Sequence, residues 1–176
     1  SGKTTVSFAF SNYWAPEVIY DQESKLYYMF YTANRYDTSF ASALYFFGDI
    51  AVSESPAGPF VQYNKYFGKE PVVIDEEKKI MAYEPAFDFS KMDPSHPLYE
   101  SETDGYMKVI DLNPFIDPGS GKKYVYFCHD LGKEQAISES SIYVMALNDD
   151  YTPDYAQIQA LTTVNSLELN GKQDIT

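Results

Sequence analysis

The sequence predicts an all-β protein made of two four-stranded antiparallel units, the pattern of β-propeller blades. Three observations predict it. Aromatic residues are 17% of the 176 residues, with 17 Tyr and 12 Phe, and such side chains suit strands better than a helical bundle. One hairpin pattern occurs twice: a short strand holding a carboxylate, a polar turn, then a Lys leading into an aromatic strand. After each hairpin come further apolar runs divided by strong turn signals.

The second copy of the hairpin is the clearer one. It runs Ile110-Asp111-Leu112-Asn113-Pro114-Phe115-Ile116, then Asp117-Pro118-Gly119-Ser120-Gly121, then Lys122 to Phe127. Leu112, Phe115 and Ile116 give apolar side chains before the break. Pro118 fixes φ, and Gly119 and Gly121 permit positive φ, so the chain turns there. From spacing alone, Asp111 reads either as a strand-end cap or as a carboxylate aimed into a site. The first copy is Trp14-Ala15-Pro16-Glu17-Val18-Ile19-Tyr20, the turn from Asp21 to Ser24, and Lys25 to Tyr31.

In chain order, Ser1-Gly2-Lys3-Thr4-Thr5 invites a phosphate-loop reading. That signature needs a Gly five positions before the Gly-Lys pair and a helix after it, and neither is present, so a frayed terminus is expected. The first unit, about 13–63, holds strands at Trp14 to Tyr20, Leu26 to Thr32, Asp49 to Glu54 and Phe60 to Tyr63. Leu44 to Phe47 is a short apolar segment before the third of these. Asn34 and Arg35 fall on the loop after the inner hairpin. Ser55-Pro56-Ala57-Gly58-Pro59 turns the chain into the outer strand. The stretch 64–75 reads as irregular, and Asp75 to Lys79 as a solvated turn. The stretch 86–105, rich in Pro and charge, reads as an irregular surface insertion. The second unit, about 110–164, holds strands at Leu112 to Ile116, Lys123 to Cys128, Ser141 to Leu147 and Ala156 to Val164.

The formal net charge of -13 disfavours a nucleic-acid partner, because an acidic surface repels phosphate. Cys128 is the lone cysteine, so no intrachain disulfide forms. No run of about 18 apolar residues exists, so no membrane-spanning helix is expected. His96 and His129 show no spacing for zinc, and Cys128-His129 lacks the pattern of a nucleophile and base. Two blades cannot close a ring. Their outer faces need covering, either by missing blades of a longer chain or by self-association.

The quoted residues resemble glycoside hydrolase family 43. Trp14-Ala15-Pro16-Glu17, Lys25 to Ala33 and Ile50 to Phe60 are similar to its second blade. Ile110-Asp111, Pro114-Phe115-Ile116-Asp117 and Gly121 to Tyr124 are similar to the start of its third. The likeness covers roughly Tyr13 to Leu161. It implies part of a five-bladed propeller of inverting enzymes that act on arabinofuranosyl or xylosyl linkages in plant polysaccharide. It also implies three carboxylates: a base on the first blade, a modulating Asp on the third, matched here by Asp111, and an acid Glu on the fourth. The base would then lie upstream of Ser1. No Glu-Gly-Pro motif for the acid occurs before Thr176, and Glu168 stands in Leu167-Glu168-Leu169, which does not match.

Inverting hydrolysis needs two carboxyl groups about 6.5–9.5 Å apart, so this chain by itself is expected to be inactive. The resemblance makes Trp14 a wall of the sugar pocket, where core packing is the plain alternative. Asn34 and Arg35 become candidate sugar contacts, where a solvated loop is the alternative. Glu17 is expected to make a structural hydrogen bond. No cofactor is required. Family members often hold a calcium ion on the propeller axis, but no ligands for it are recognisable here. The substrate class implies an extracellular or periplasmic location. A non-catalytic carbohydrate-binding or scaffold propeller protein is the alternative function.

Overall fold

The computed structural model describes residues 3–7, 9–35, 46–96, 109–130 and 140–163. It is nearly all β. The first large sheet joins β2 (Ala9–Tyr20), β3 (Tyr27–Arg35), β4 (Phe46–Ser53) and β5 (Val61–Gln62) in that order. The second joins β8 (Val109–Ile116), β9 (Lys123–Asp130), β10 (Ser140–Leu147) and β11 (Pro153–Thr163), again in chain order and antiparallel throughout. Both are the up-and-down four-stranded sheets that the sequence predicts.

The two inner hairpins are copies at the level of single hydrogen bonds. In the first, the Asp21 carboxylate accepts from Glu23 N at 3.2 Å, Ser24 N at 3.3 Å and Ser24 Oγ at 2.8 Å. In the second, Asp117 accepts from Gly119 N at 3.1 Å, Ser120 N at 3.2 Å and the Ser120 hydroxyl. Each turn then closes through a left-handed residue, Lys25 at φ 61° or Gly121 at φ 72°. A short side chain that bonds its own backbone two and three residues ahead is how Asp starts a turn. Although burial opposes ionisation of Asp21, its hydrogen bonds from Ser24 and Glu23 and the nearby Lys123 hold the carboxyl below its usual range.

The two large sheets pack face to face. Tyr28, Phe30, Ile50 and Val52 of the first meet Leu112, Val125, Phe127 and Met145 of the second in one buried core. At the hairpin end the sheets are clasped by charge and ring. Tyr28 stacks on Tyr151 at 3.9 Å between centroids, and Lys123 Nζ lies 4.1 Å above the same Tyr151 ring. Lys123 Nζ also stands 3.8 Å from Asp21 Oδ2 and donates to the Asp149 carbonyl at 2.5 Å. The Tyr63 hydroxyl donates to the Asp150 carbonyl at 2.6 Å.

Three parts of the chain differ from the sequence expectations. Thr4 to Val6 is not frayed. It forms β1 (Thr4–Val6), which pairs in parallel with β7 (Ile80–Ala82), itself paired with β6 (Val72–Asp75). The stretch 64–75 is not wholly irregular, since it holds most of the helical turn α1 (Tyr63–Tyr66) as well as β6. The three-stranded sheet supplies Val6, Ile74 and Ala82 to a second core against Tyr31, Ala33, Phe47 and Ala51. It therefore covers the face of the first sheet that points away from the second.

The stretch 86–105 is also not all surface. Phe87, Phe89 and Met92 are buried in the core between the large sheets, and a 3-10 turn spans Phe89–Lys91. The Pro and charge content of this stretch hid three apolar residues that carry the packing. The remainder of it, 97–105, lies outside the described residues.

Candidate functional site

Asp111 sits on β8 where the pairing with β9 slips. Ile110 is opposite Cys128 and Asn113 is opposite Tyr126, so β8 carries an extra residue there, a β-bulge. Asp111 adopts φ 56°, in the left-handed region. That costs an L-residue roughly 1 kcal/mol, and Asp is among the few types that tolerate it. The bulge turns the Asp111 side chain out to solvent, and its charge reaches Cys128. Burial first, and the Asp111 carboxylate second, push the Cys128 thiol up. Asp111 is therefore not a turn cap. The cap of this hairpin is Asp117.

The backbone N–H of Asp111 crosses between the sheets and donates to Thr32 Oγ1 at 3.2 Å. Thr32 lies on β3, fully buried, opposite Trp14 on one side and Gly48 on the other. Gly48 lets β8 come this close. A Cβ built there would stand 2.4 Å from Leu112 Cδ1, nearer than two carbons can approach.

Trp14 is about half exposed, so it is not a core residue, and Tyr13 beside it is also exposed. The ring of Tyr13 lies 5.8 Å from that of Tyr31, and its hydroxyl donates to the Ala9 carbonyl at 2.9 Å. An exposed indole held on a strand suits stacking on a sugar ring. Asn34 lies two residues beyond Thr32 and so on the same face of β3. Its Oδ1 is buried and has no hydrogen-bond partner among the described residues. Asn34 and Arg35 stand in strand β3 and not on a loop; the Arg35 side chain lies outside the described residues. The structure thus gathers Trp14, Thr32 and Asp111, with Asn34 nearby on the same strand.

Glu17 is exposed on β2 opposite Phe30 and makes no side-chain hydrogen bond to a described residue, unlike the structural bond expected of it. Glu168 and the His129 side chain lie outside the described residues. Among the described residues no group of three or more His, Cys, Asp and Glu could hold a metal ion, so the donor set for an axial cation is not found there. No helix among them is long and apolar enough to cross a membrane.

The sequence reading missed a second carboxylate, Asp49. It is fully buried on β4, and four donors converge on it. Ala86 N and Ile50 N reach Oδ1 at 2.7 and 2.8 Å, and Gln62 Nε2 and the Tyr31 hydroxyl reach Oδ2 at 3.0 and 3.1 Å. Burial outweighs these bonds and raises its carboxyl to about 6. Asp49 binds β4, β5 and the segment after β7 into one body, which makes it a structural group. A carboxylate inside Gly48-Asp49-Ile50-Ala51 was the available signal, since Asp is depleted in strand interiors unless its oxygens are satisfied.

No family model matches this chain, and no curated protein matches it. Part of it is similar to solved structures of glycoside hydrolases. One is an endo-1,5-alpha-L-arabinanase from Thermotoga petrophila, at 17% identity and a TM-score of 0.44, over 80% of this chain and 30% of that one. Another is the glycoside hydrolase family 43 YxiA protein from Bacillus licheniformis, at 14% identity and a TM-score of 0.41, over 84% of this chain and 32% of that one. A third is an exo-1,5-alpha-L-arabinanase from a bovine ruminal metagenomic library, at 11% identity and a TM-score of 0.30, over 90% of this chain and 62% of that one. The chain spans about a third of the length of the first two.

Proposed function

We propose that this chain is part of a glycoside hydrolase of the family 43 type, acting on arabinofuranosyl or xylosyl linkages by an inverting mechanism. Asp111 is its modulating carboxylate. The observation that carries the reading is the placement of Asp111: solvent-facing, at a left-handed bulge of the strand on which the resemblance puts the modulator, and joined through Thr32 to exposed Trp14.

The chemistry follows from electrostatics. A negative charge near a carboxylic acid disfavours its ionisation, so the acid stays protonated near neutral pH and can protonate the leaving oxygen. Asp111 would act on an acid and a base supplied by other sheets of the whole hydrolase. Trp14 would stack on the sugar, with Asn34 and Arg35 as further contacts. The open face of the second large sheet would be covered by missing blades or by a second copy, and the substrate class places the enzyme outside the cell or in the periplasm. A calcium ion, where the whole propeller holds one, would be structural.

The test is hydrolysis of nitrophenyl arabinofuranoside and xyloside by the full-length protein and its Asp111→Asn variant. The expected result is turnover in the parent and a loss of about 10²-fold or more in kcat/KM in the variant, the lower end of what acid–base catalysis contributes. Undiminished turnover in Asp111→Asn would remove the assigned role. The second reading, a carbohydrate-binding protein without catalysis, is favoured by the exposed Tyr13 and Trp14. It predicts sugar binding that Trp14→Ala abolishes, with no turnover.

A further inference from the structure

We propose that Thr32 is a positioning residue for Asp111: it holds the left-handed bulge that presents the carboxylate, through a hydrogen bond between the two sheets. This rests on the reading of Asp111 given above.

Three observations converge on it. The Asp111 N–H cannot join the β8–β9 ladder in the ordinary way, because the register slips between Ile110 and Asn113. The Asp111 N–H is partly buried at the seam between the sheets, and Thr32 Oγ1 supplies its acceptor at 3.2 Å from the neighbouring sheet. Thr32 is fully buried and its backbone is committed to β2 and β4, opposite Trp14 and Gly48, so the acceptor is fixed in space. Gly48 favours the contact, since a Cβ there would meet the Leu112 side chain, and either the leucine or β8 would have to shift.

The repeat of the hairpin isolates what is special at this position. Ala15 stands six residues before Asp21 as Asp111 stands before Asp117, and it too is left-handed, at φ 44°. Trp14 faces Thr32 as Ile110 faces Cys128. Both hairpins thus build the same bulge, but only the second carries a carboxylate on it. Its side-chain direction depends on the backbone at Asp111, and that backbone is tied to Thr32. Valine at 32 keeps the shape of threonine and removes the acceptor. Serine keeps the acceptor.

The experiment has two arms. In the full-length protein, amide hydrogen exchange read by NMR follows the Asp111 N–H directly. Thr32→Val is expected to speed exchange at Asp111 by ten-fold or more with the Tyr126 and Phe127 amides unchanged, and Thr32→Ser to restore protection. Unchanged protection in Thr32→Val, or lost protection in a folded Thr32→Ser, overturns the proposal. In the full-length protein, the pH profile of kcat/KM gives a readout that loosened packing alone would not move. Displacing the Asp111 charge lets the general acid ionise sooner, so the alkaline limb should fall at lower pH in Thr32→Val, as in Asp111→Asn, and return in Thr32→Ser. An alkaline limb that moves in Asp111→Asn but not in Thr32→Val also overturns it. Should Asp111→Asn leave the profile unmoved, the hydrolase reading fails, and the exchange arm still decides whether Thr32 holds Asp111.

Discussion

Asp49→Ala is expected to lower stability by about 2–4 kcal/mol, since an unpaired buried donor costs about 1–3 kcal/mol and several would be left. The carboxylate receives Ala86 N, Ile50 N, Gln62 Nε2 and the Tyr31 hydroxyl, and alanine offers none of them an acceptor. Removing a desolvated charge offsets part of the loss, which keeps the total below the sum of the separate bonds. Damage should spread beyond β4. Gln62 Nε2 also donates to the Glu84 carbonyl at 2.7 Å, and Asn64 Nδ2 to the same oxygen at 2.8 Å, so the segment that leads to buried Phe87 and Phe89 is held by this network. Urea denaturation of the variant against the parent at pH 7 measures the effect. A change under 1 kcal/mol would mean that the network re-forms around water.

The same carboxylate sets a pH dependence of opposite sign to most acidic groups in proteins. Its pKa is raised from 3.8 to about 6 in the folded chain by burial. The folded state therefore holds this proton more tightly than the unfolded state does. Its contribution to stability is full below about pH 4 and is lost as pH rises through about 6, by roughly 3 kcal/mol at most. Asp21 works the other way, since its pKa is lowered, and its contribution falls away in acid. The expected signature is a stability difference between parent and Asp49→Asn that changes between pH 4.5 and 7 and is flat above. A difference that does not vary with pH would show that Asp49 keeps its ordinary pKa.

How much of this was legible in the sequence follows from where the information sits. The hairpins were readable because Asp21 and Asp117 bond their own neighbours, and local chemistry leaves a local pattern. Asp111 was readable as a candidate through its place before such a turn. Its left-handed backbone was not, because the bulge is set by register with β9, and the acceptor of its N–H lies far along the chain. Thr32 and Gly48 gave no warning inside an aromatic strand and a glycine-aspartate pair. Aligning the two hairpins would have matched Asp111 with Ala15 and Cys128 with Thr32, and so marked the seam. The three-stranded sheet was missed for a similar reason. Each strand in it is four residues or shorter, and β1 finds its partner β7 only in the folded chain. Asp49 was missed because three of its four donors, Tyr31, Gln62 and Ala86, lie far from it along the chain.

The seam itself makes the sharpest energetic demand. Leu112 is fully buried and fills the space that Gly48 leaves on β4, so Leu112→Ala is expected to cost about 2–5 kcal/mol, the range for a buried leucine truncated to alanine. Gly48→Ala attacks the same contact from the other side. Its Cβ would stand 2.4 Å from Leu112 Cδ1, so β8 or the leucine must move, at a cost of about 1–3 kcal/mol for overpacking. The two changes should not add. Once Leu112 is shortened, the atoms that the new Cβ would strike are gone, and that methyl fills part of the cavity. A double-mutant cycle by chemical denaturation is expected to show the pair less destabilised than the sum of the singles by about 1–2 kcal/mol, within the range for residues in contact. Strict additivity would mean that Gly48 and Leu112 do not touch. The close approach of β8 to β4, and with it the reach of Asp111 N to Thr32, would then lose its physical basis.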